Sequence, residues 1–250
     1  MIRAAITVSG LPRFRADTDT LINNLTNADI DWYFSFWKHK PTAYSEYDPK
    51  WQELSETRIV SEIQSRLGPQ HRIRFFEWVH PNSMPPMPRD YPAFYNIPIN
   101  CYQQYILFNR INNIRKDYER VQAWKYDLLI RGRVDAGSDR PLDLDAIAES
   151  IADNQLHMPN NQRQGPLQFC DHWALGKHKA IDALADSVHD FDTVFQKGCP
   201  YNAELMVGTI LKDKGIVWPS TTWNSTLKYQ GWNDPNTGMW HPDLGRWILK

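Results

Sequence analysis

The sequence predicts an α/β fold: one domain with a mostly parallel central sheet flanked by helices, followed by an irregular C-terminal section. Three observations carry that expectation. Short β-rich apolar runs alternate with longer stretches of helical periodicity. The chain opens strand, helix, strand, the pattern of a parallel crossover. No internal repeat and no linker composition interrupts the 250 residues, which are enough for one large α/β domain.

Ile2 to Val8 is β-rich and reads as a first buried strand. Ser9-Gly10-Leu11-Pro12-Arg13 then turns, and Thr18 to Ala28 reads as a helix with Leu21, Ile22 and Leu25 inward. Asp31 to Trp37 is a second strand. Trp51 to Leu67 has Ile59, Ile63 and Leu67 at helical spacing, and Gly68-Pro69 ends it. Arg72 to Val79 is a third strand. His80 to Pro98 carries Pro81, Pro85, Pro86, Pro88 and Pro92, so it is read as an irregular loop of functional length.

Cys101 to Val121 is the clearest helix, with Leu107, Ile111, Ile114, Tyr118 and Val121 stepping by four, three, four and three. Tyr126 to Ile130 is a short apolar run, as expected of an interior parallel strand. Leu142 to Ile151 is a short helix and Leu156 to Met158 a short strand. Phe169 to Leu175 reads as a strand containing Asp171. Gly176 to Phe191 is helical with Ile181, Leu184, Val188 and Phe191 inward. Ala203 to Leu211 is a last helix stopped near Gly215, and Ile216 to Trp218 a last strand. The tail from Thr221 is rich in Trp, Asn and Gly without periodicity.

Composition narrows the function. The 28 basic and 29 acidic residues leave a formal charge of -1, which does not support a nucleic-acid-binding coat. No apolar run has the length of a membrane span, and Met-Ile-Arg-Ala-Ala-Ile-Thr-Val is strand-like rather than a leader. Cys101, Cys170 and Cys199 are odd in number and far apart, neither a disulfide framework nor a zinc motif, so a cytoplasmic location is expected. The 11 Trp and 11 Tyr build a core of large residues, or stack on a base or sugar ring.

Four constellations are candidates for chemistry. Arg131, Arg133 and Asp135 follow a buried strand at alternate positions, and in extended chain they share a face. Two guanidiniums and a carboxylate at a strand's C-terminal end would hold an anionic substrate, or a metal with the phosphates it neutralises. The same residues would also serve as a structural ion-pair network, with Asp139 a further carboxylate or a turn cap. Ser9, Gly10 and Arg13 follow the first strand, where a glycine turn lets backbone amides approach a ligand and Arg13 could grip a phosphate. The spacing is neither a G-x-G-x-x-G fingerprint nor a P-loop. Asp171 and His172 sit amid apolar residues, and a buried Asp171 needs a partner such as Arg131 or Arg133. Glu204 lies at the start of a helix, where the dipole favours negative charge, and it is alternatively a general base.

The order of these features resembles GT-A-like (Rossmann-like) glycosyltransferases of surface-polysaccharide type, including the WavE-like lipopolysaccharide synthesis proteins. The resemblance rests on Ser-Gly-x-x-Arg after the first strand, and on Tyr-Asp-Leu-Leu-Ile-Arg-Gly-Arg-Val-Asp after a long helix. It is completed by Asp-x-x-Ala-Leu-Gly before a helix, then a Glu-led helix ending in Gly-Ile. It spans roughly residues 1 to 218. It implies a nucleotide-binding half over residues 1–135 and an acceptor-side half with the aromatic tail over 136–250. It implies a nucleotide-sugar donor, a glycan or lipid-glycan acceptor and polysaccharide biosynthesis. Ser9, Gly10, Arg13, Arg131, Arg133 and Asp135 would bind the donor, Asp171 would lie near sugar or acceptor, and Glu204 would be the catalytic base. Such enzymes hold a divalent metal, Mn²⁺ or Mg²⁺, with an Asp-x-Asp motif. Asp135 falls at its second position, while Arg133 stands where the first Asp would be. Arginines could then stabilise the departing diphosphate instead. Two other readings stay open: a catalytically inactive relative that binds nucleotide or glycan, and another anion-using α/β transferase such as a sulfotransferase.

Overall fold

The structure is a computed structural model. It describes residues 1–10, 24–38, 61, 64–65, 67–92, 98–133, 136–160, 169, 173–227, 239–241 and 246–248. Its centre is a six-stranded, mostly parallel sheet. β1 (Ile2–Gly10) lies in the middle, parallel to β3 (Ala28–Trp37) on one side and to β5 (Leu128–Gly132) on the other. β4 (His71–Val79) extends the β3 side in parallel. β9 (Ala174–Gly176) runs antiparallel to β5, and β8 (Leu156–His157) antiparallel to β9. The order is therefore β4-β3-β1-β5-β9-β8.

Each face of this sheet has its own core, because successive side chains alternate. Ala5, Tyr33, Leu129 and Ala174 face α1 (Pro98–Gln122), α3 (His178–Asp186) and α5 (Ala203–Asp213). Ala4, Ile6, Val8, Ile30, Trp32, Phe34, Leu128 and Ile130 point the other way, with Leu144 and Ala148 of α2 (Leu144–Ser150). Burial on both sides explains why β1, β3 and β5 read as unbroken apolar runs rather than alternating ones.

Several expectations need correction. The helix expected over Thr18 to Ala28 does not reach its end. Leu25–Thr26 is a short strand β2 paired with β7 (Leu142–Asp143), Asn27 is left-handed at φ 61°, and Ala28 already belongs to β3. Leu25 still buries its side chain, so its apolar character is used without a helix. The strand expected from Phe169 begins only at Ala174; Phe169 and Trp173 are buried outside regular structure. Ile216 to Trp218 is reduced to a single bridge between Val217 and Gln155. The helix over Gly176 to Phe191 is broken by a 3₁₀ turn at Ser187–Asp190 before α4 (Phe191–Gln196), although its four apolar residues are all buried. The tail contains β10 (Ser225–Leu227), antiparallel to β6 (Ala136–Ser138), and a hairpin of β11 (Met239–His241) and β12 (Arg246–Ile248). Val121 of α1 is 75 % exposed rather than inward. A mean spacing of 3.5 residues drifts around a helix of 3.6 residues per turn, by about 20° per heptad, and carries the last position off the buried stripe.

The helix expected from Trp51 falls mostly outside the described residues; Ser61, Gln64 and Ser65 are helical. Among the described residues, His80 to Tyr91 holds only the 3₁₀ turn Pro81–Ser83, as its prolines demand. No helix of the described residues is long and apolar enough to cross a membrane.

Candidate functional site

The chain leaves β1 toward β3 and β4 on one side and returns to β5 on the other. That reversal makes the carboxyl ends of β1 and β5 the switch point of the sheet, the place where open α/β sheets bind ligands. Val8 is level with Gly132, so Ser9 and Gly10 end β1 beside the point where Arg133 leaves β5. Gly10 has φ +112° and open space where a Cβ would be, so this last position of β1 favours glycine for its backbone angle alone. At Gly132 a Cβ would meet Ile6 and Trp173 at 3.5 and 3.8 Å, an ordinary contact, so steric room does not dictate that glycine.

Arg131 projects onto the α1 face, 2 % exposed, with its guanidinium 5.0 Å from the Tyr105 ring centre and 5.2 Å from that of Phe108. Both rings come from α1, whose burial stripe brings them over β5. An arginine held between two aromatic faces has few accessible rotamers and keeps its charge in a desolvated place. Thr7, level with Arg131 on β1, donates its hydroxyl to the Ile130 carbonyl at 3.3 Å and closes the seam between the two strands. Arg133 follows the strand and is half-buried.

The antiparallel β9 enters the sheet at this same edge, because Ala174 is level with Arg131. Asp171 and His172 lie outside the described residues. So do Arg13 and Asp135. Among the described residues no group of three or more His, Cys, Asp or Glu side chains is placed to hold a metal. Arg131 and Arg133 are the described charged residues of this strand end that the sequence singles out.

Glu204 sits in the first turn of α5, after an Asn202 cap whose side chain accepts from the Leu205 N–H at 2.9 Å. Ring contacts run from the Tyr105 beside the arginine toward the residues that precede α5: Tyr105 lies 5.4 Å from Phe191, and Phe191 6.3 Å from Tyr201. Tyr201 also stacks on Tyr91 of the proline-rich loop at 4.0 Å. The Tyr91 hydroxyl donates to Asp192 at 2.9 Å, and burial with that bond pushes its pKa up to about 12. The loop after β4 is thus clamped to α4 and to the approach of α5.

Sequence reasoning missed a second polar group at the same edge. Ser9, Ser35 and Glu77 are level across β1, β3 and β4. Ser35, fully buried, donates to Glu77 Oε1 at 2.8 Å, and Arg110 of α1 grips both carboxylate oxygens at 2.8 and 2.9 Å. Glu77 raises the pKa of Arg110, chiefly through these bonds. A lone acid in Phe75-Phe76-Glu77-Trp78-Val79 was the available signal. Asp139, read as a further carboxylate or a cap, accepts from the backbone and side chain of Asn224, both at 3.0 Å. Those bonds, the backbone one foremost, hold its pKa below the usual range.

Comparison with protein-family models finds no match, and comparison with curated proteins finds none either.

Proposed function

We propose that this chain is a glycosyltransferase that moves a sugar from a nucleotide-sugar donor to a glycan or lipid-glycan acceptor, as in surface-polysaccharide synthesis. The observation that carries this reading is the arginine-bearing end of β5 beside Ser9 and Gly10 at the end of β1, at the point where the strand order reverses. A nucleoside diphosphate needs positive charge as it leaves, and guanidiniums at this strand end would supply it. In the reaction the acceptor hydroxyl oxygen bonds to the anomeric carbon. The bond from that carbon to the diphosphate breaks, and the electron pair departs with the diphosphate. The acceptor proton passes to a carboxylate, for which Glu204 is the candidate, with Asp171 near the sugar or acceptor. Ser9, Gly10 and Arg13 would border the nucleotide. A divalent Mn²⁺ or Mg²⁺ held by Asp135 would share the neutralisation of the diphosphate; Arg131 and Arg133 do so in its place if none binds.

The test is thermal stabilisation by UDP, GDP and CMP with and without Mn²⁺, followed by nucleotide release from the matching sugar donor. One diphosphate is expected to raise Tm, and Arg133→Ala to weaken it by about tenfold or more, the loss of one charge-assisted contact. If the shift needs metal, Asp135→Ala abolishes it. Binding without turnover would identify a binding relative rather than an enzyme. No shift with any nucleotide at millimolar concentration would overturn the reading.

A further inference from the structure

The proline-rich segment His80 to Pro92 is fastened to the protein almost wholly by side chains. Among the described residues its backbone hydrogen bonds stay within its own 3₁₀ turn, where the Ser83 N–H donates to the His80 carbonyl at 2.9 Å. Met84 packs on Trp37, Val79 and Leu107 at the β4 end, and Met87 on the core of the α1 face. At the far end the fastening is Asp192 of α4. Its Oδ1 accepts from the Tyr91 hydroxyl at 2.9 Å and lies 2.5 Å from Arg89 Nε, and its Oδ2 accepts from Arg89 Nη2 at 2.9 Å. The Tyr91 ring stacks on Tyr201 with centres 4.0 Å apart and meets Phe195 edge-on at 4.9 Å.

These fastenings are weaker than those of the elements around them. Arg89 is 44 % and Asp192 26 % exposed, and an ion pair so open to solvent contributes little. No ladder of backbone bonds has to break for the segment to leave. Pro81, Pro85, Pro86, Pro88 and Pro92 keep the chain stiff whether it is attached or free, so closure costs little conformational entropy. The closed arrangement also carries a penalty. Tyr201 is fully buried beneath Tyr91, and its hydroxyl bonds no described residue. A desolvated hydroxyl without a partner is unfavourable, and lifting Tyr91 away lets water reach that ring.

We propose that His80 to Pro92 is a strap that opens and closes on α4 as a unit while the sheet stays folded. Its hinge is the 3₁₀ turn with Met84, its latch is Asp192, and the surface it covers is the Tyr201 ring, which leads into α5 ahead of Glu204. The strap stands apart from the glycosyltransferase reading, which assigns none of its residues to donor or acceptor, so either can fail without the other.

The measurement is cleavage of the full chain by dilute trypsin between Arg89 and Asp90, counted by mass spectrometry. With reclosing faster than cutting, its rate follows the open population. Nitration of Tyr201 by tetranitromethane is the second readout, and urea unfolding the reference for global stability. Asp192→Asn should speed both cleavage and nitration by about tenfold, the loss of one charge-assisted bond, with the urea midpoint nearly unchanged. Arg89→Lys keeps the tryptic site but loses the paired geometry, and should shift both rates the same way. Because Arg89 is largely exposed, that variant decides the matter if Asp192→Asn fails to fold. Wild-type rates in both variants would overturn the latch. Faster cleavage with Tyr201 still protected would overturn the cover. Rates that rise only in step with a lowered urea midpoint would overturn the strap, since the segment would then open only with the whole molecule.

Discussion

His71 shows how one buried side chain sets a pH limit. Its Nδ1 accepts from the Trp32 indole at 2.9 Å, and no described residue bonds its buried Nε2. Burial lowers its pKa from 6.5 to about 4. The unfolded chain therefore binds the proton first as pH falls. Stability from this site is complete above about pH 6.5, falls through the interval, and is lost by about pH 4. The interval corresponds to a loss of about 3 kcal/mol. Unfolding in urea across pH 7 to 4 should show that slope, and His71→Gln should flatten it. An unchanged slope would mean that other groups dominate. Arg131 makes a different point at this scale. Its guanidinium lies over two ring faces, Tyr105 and Phe108, which no one-dimensional pattern announces.

Among elements, α5 depends on its cap. Asn202 satisfies the Leu205 N–H and sets where the first turn, with Glu204, begins. Asn202→Ala should lower stability by about 1 kcal/mol. If Glu204 is the base, it should also reduce kcat more than donor affinity. A loss of stability with kcat unchanged would place Glu204 outside the chemistry. The same scale explains which segments the sequence disclosed. β1, β3, β5, α1 and α5 are long or strongly patterned, and their burial follows one stripe or both faces. The two-residue strands β2 and β7 have too few positions for a period to exist. Leu25 looks helical because apolar spacing alone does not register the left-handed Asn27 that follows it.

For the molecule as a whole, a charged network locks α1 and α3 to the entry of β5. Fully buried Arg115 pairs with Glu119 and Asp182 and accompanies Asn112. Glu119 in turn accepts from the Tyr126 N–H at 2.9 Å and contacts His178 at 2.7 Å. Burial alone would raise the Glu119 pKa, but the His178 bond, Arg115 and the Tyr126 amide together hold it below its usual value. Its contribution is present above the ordinary carboxylate pKa and lost as pH falls through the lowered one. Arg115→Ala leaves buried Glu119 without that guanidinium and should cost about 3–5 kcal/mol in urea unfolding. Arg115→Met with Glu119→Gln should recover part of that, since removing both charges avoids the unpaired one. A double variant no more stable than Arg115→Ala would show that the network acts through shape rather than charge. A second lock lies at Asp31, which accepts from Arg72, Arg74 and Tyr126 at 2.8, 2.9 and 2.8 Å, while burial raises the pKa of the Tyr126 phenol.

The sequence by itself determined the α/β class, the parallel opening, and the placement of Arg131 at the end of an interior strand. These follow from local periodicity, which is written in neighbouring residues. Only the tertiary structure decided that β5 pairs with β1 rather than β4, so that Ser9-Gly10 and Arg131 share one edge. It alone turned β9 antiparallel and aligned Ser9, Ser35 and Glu77 across strands far apart in the chain. Strand order and cross-strand register depend on which buried faces fit together. Those are contacts between distant residues, and no local period encodes them.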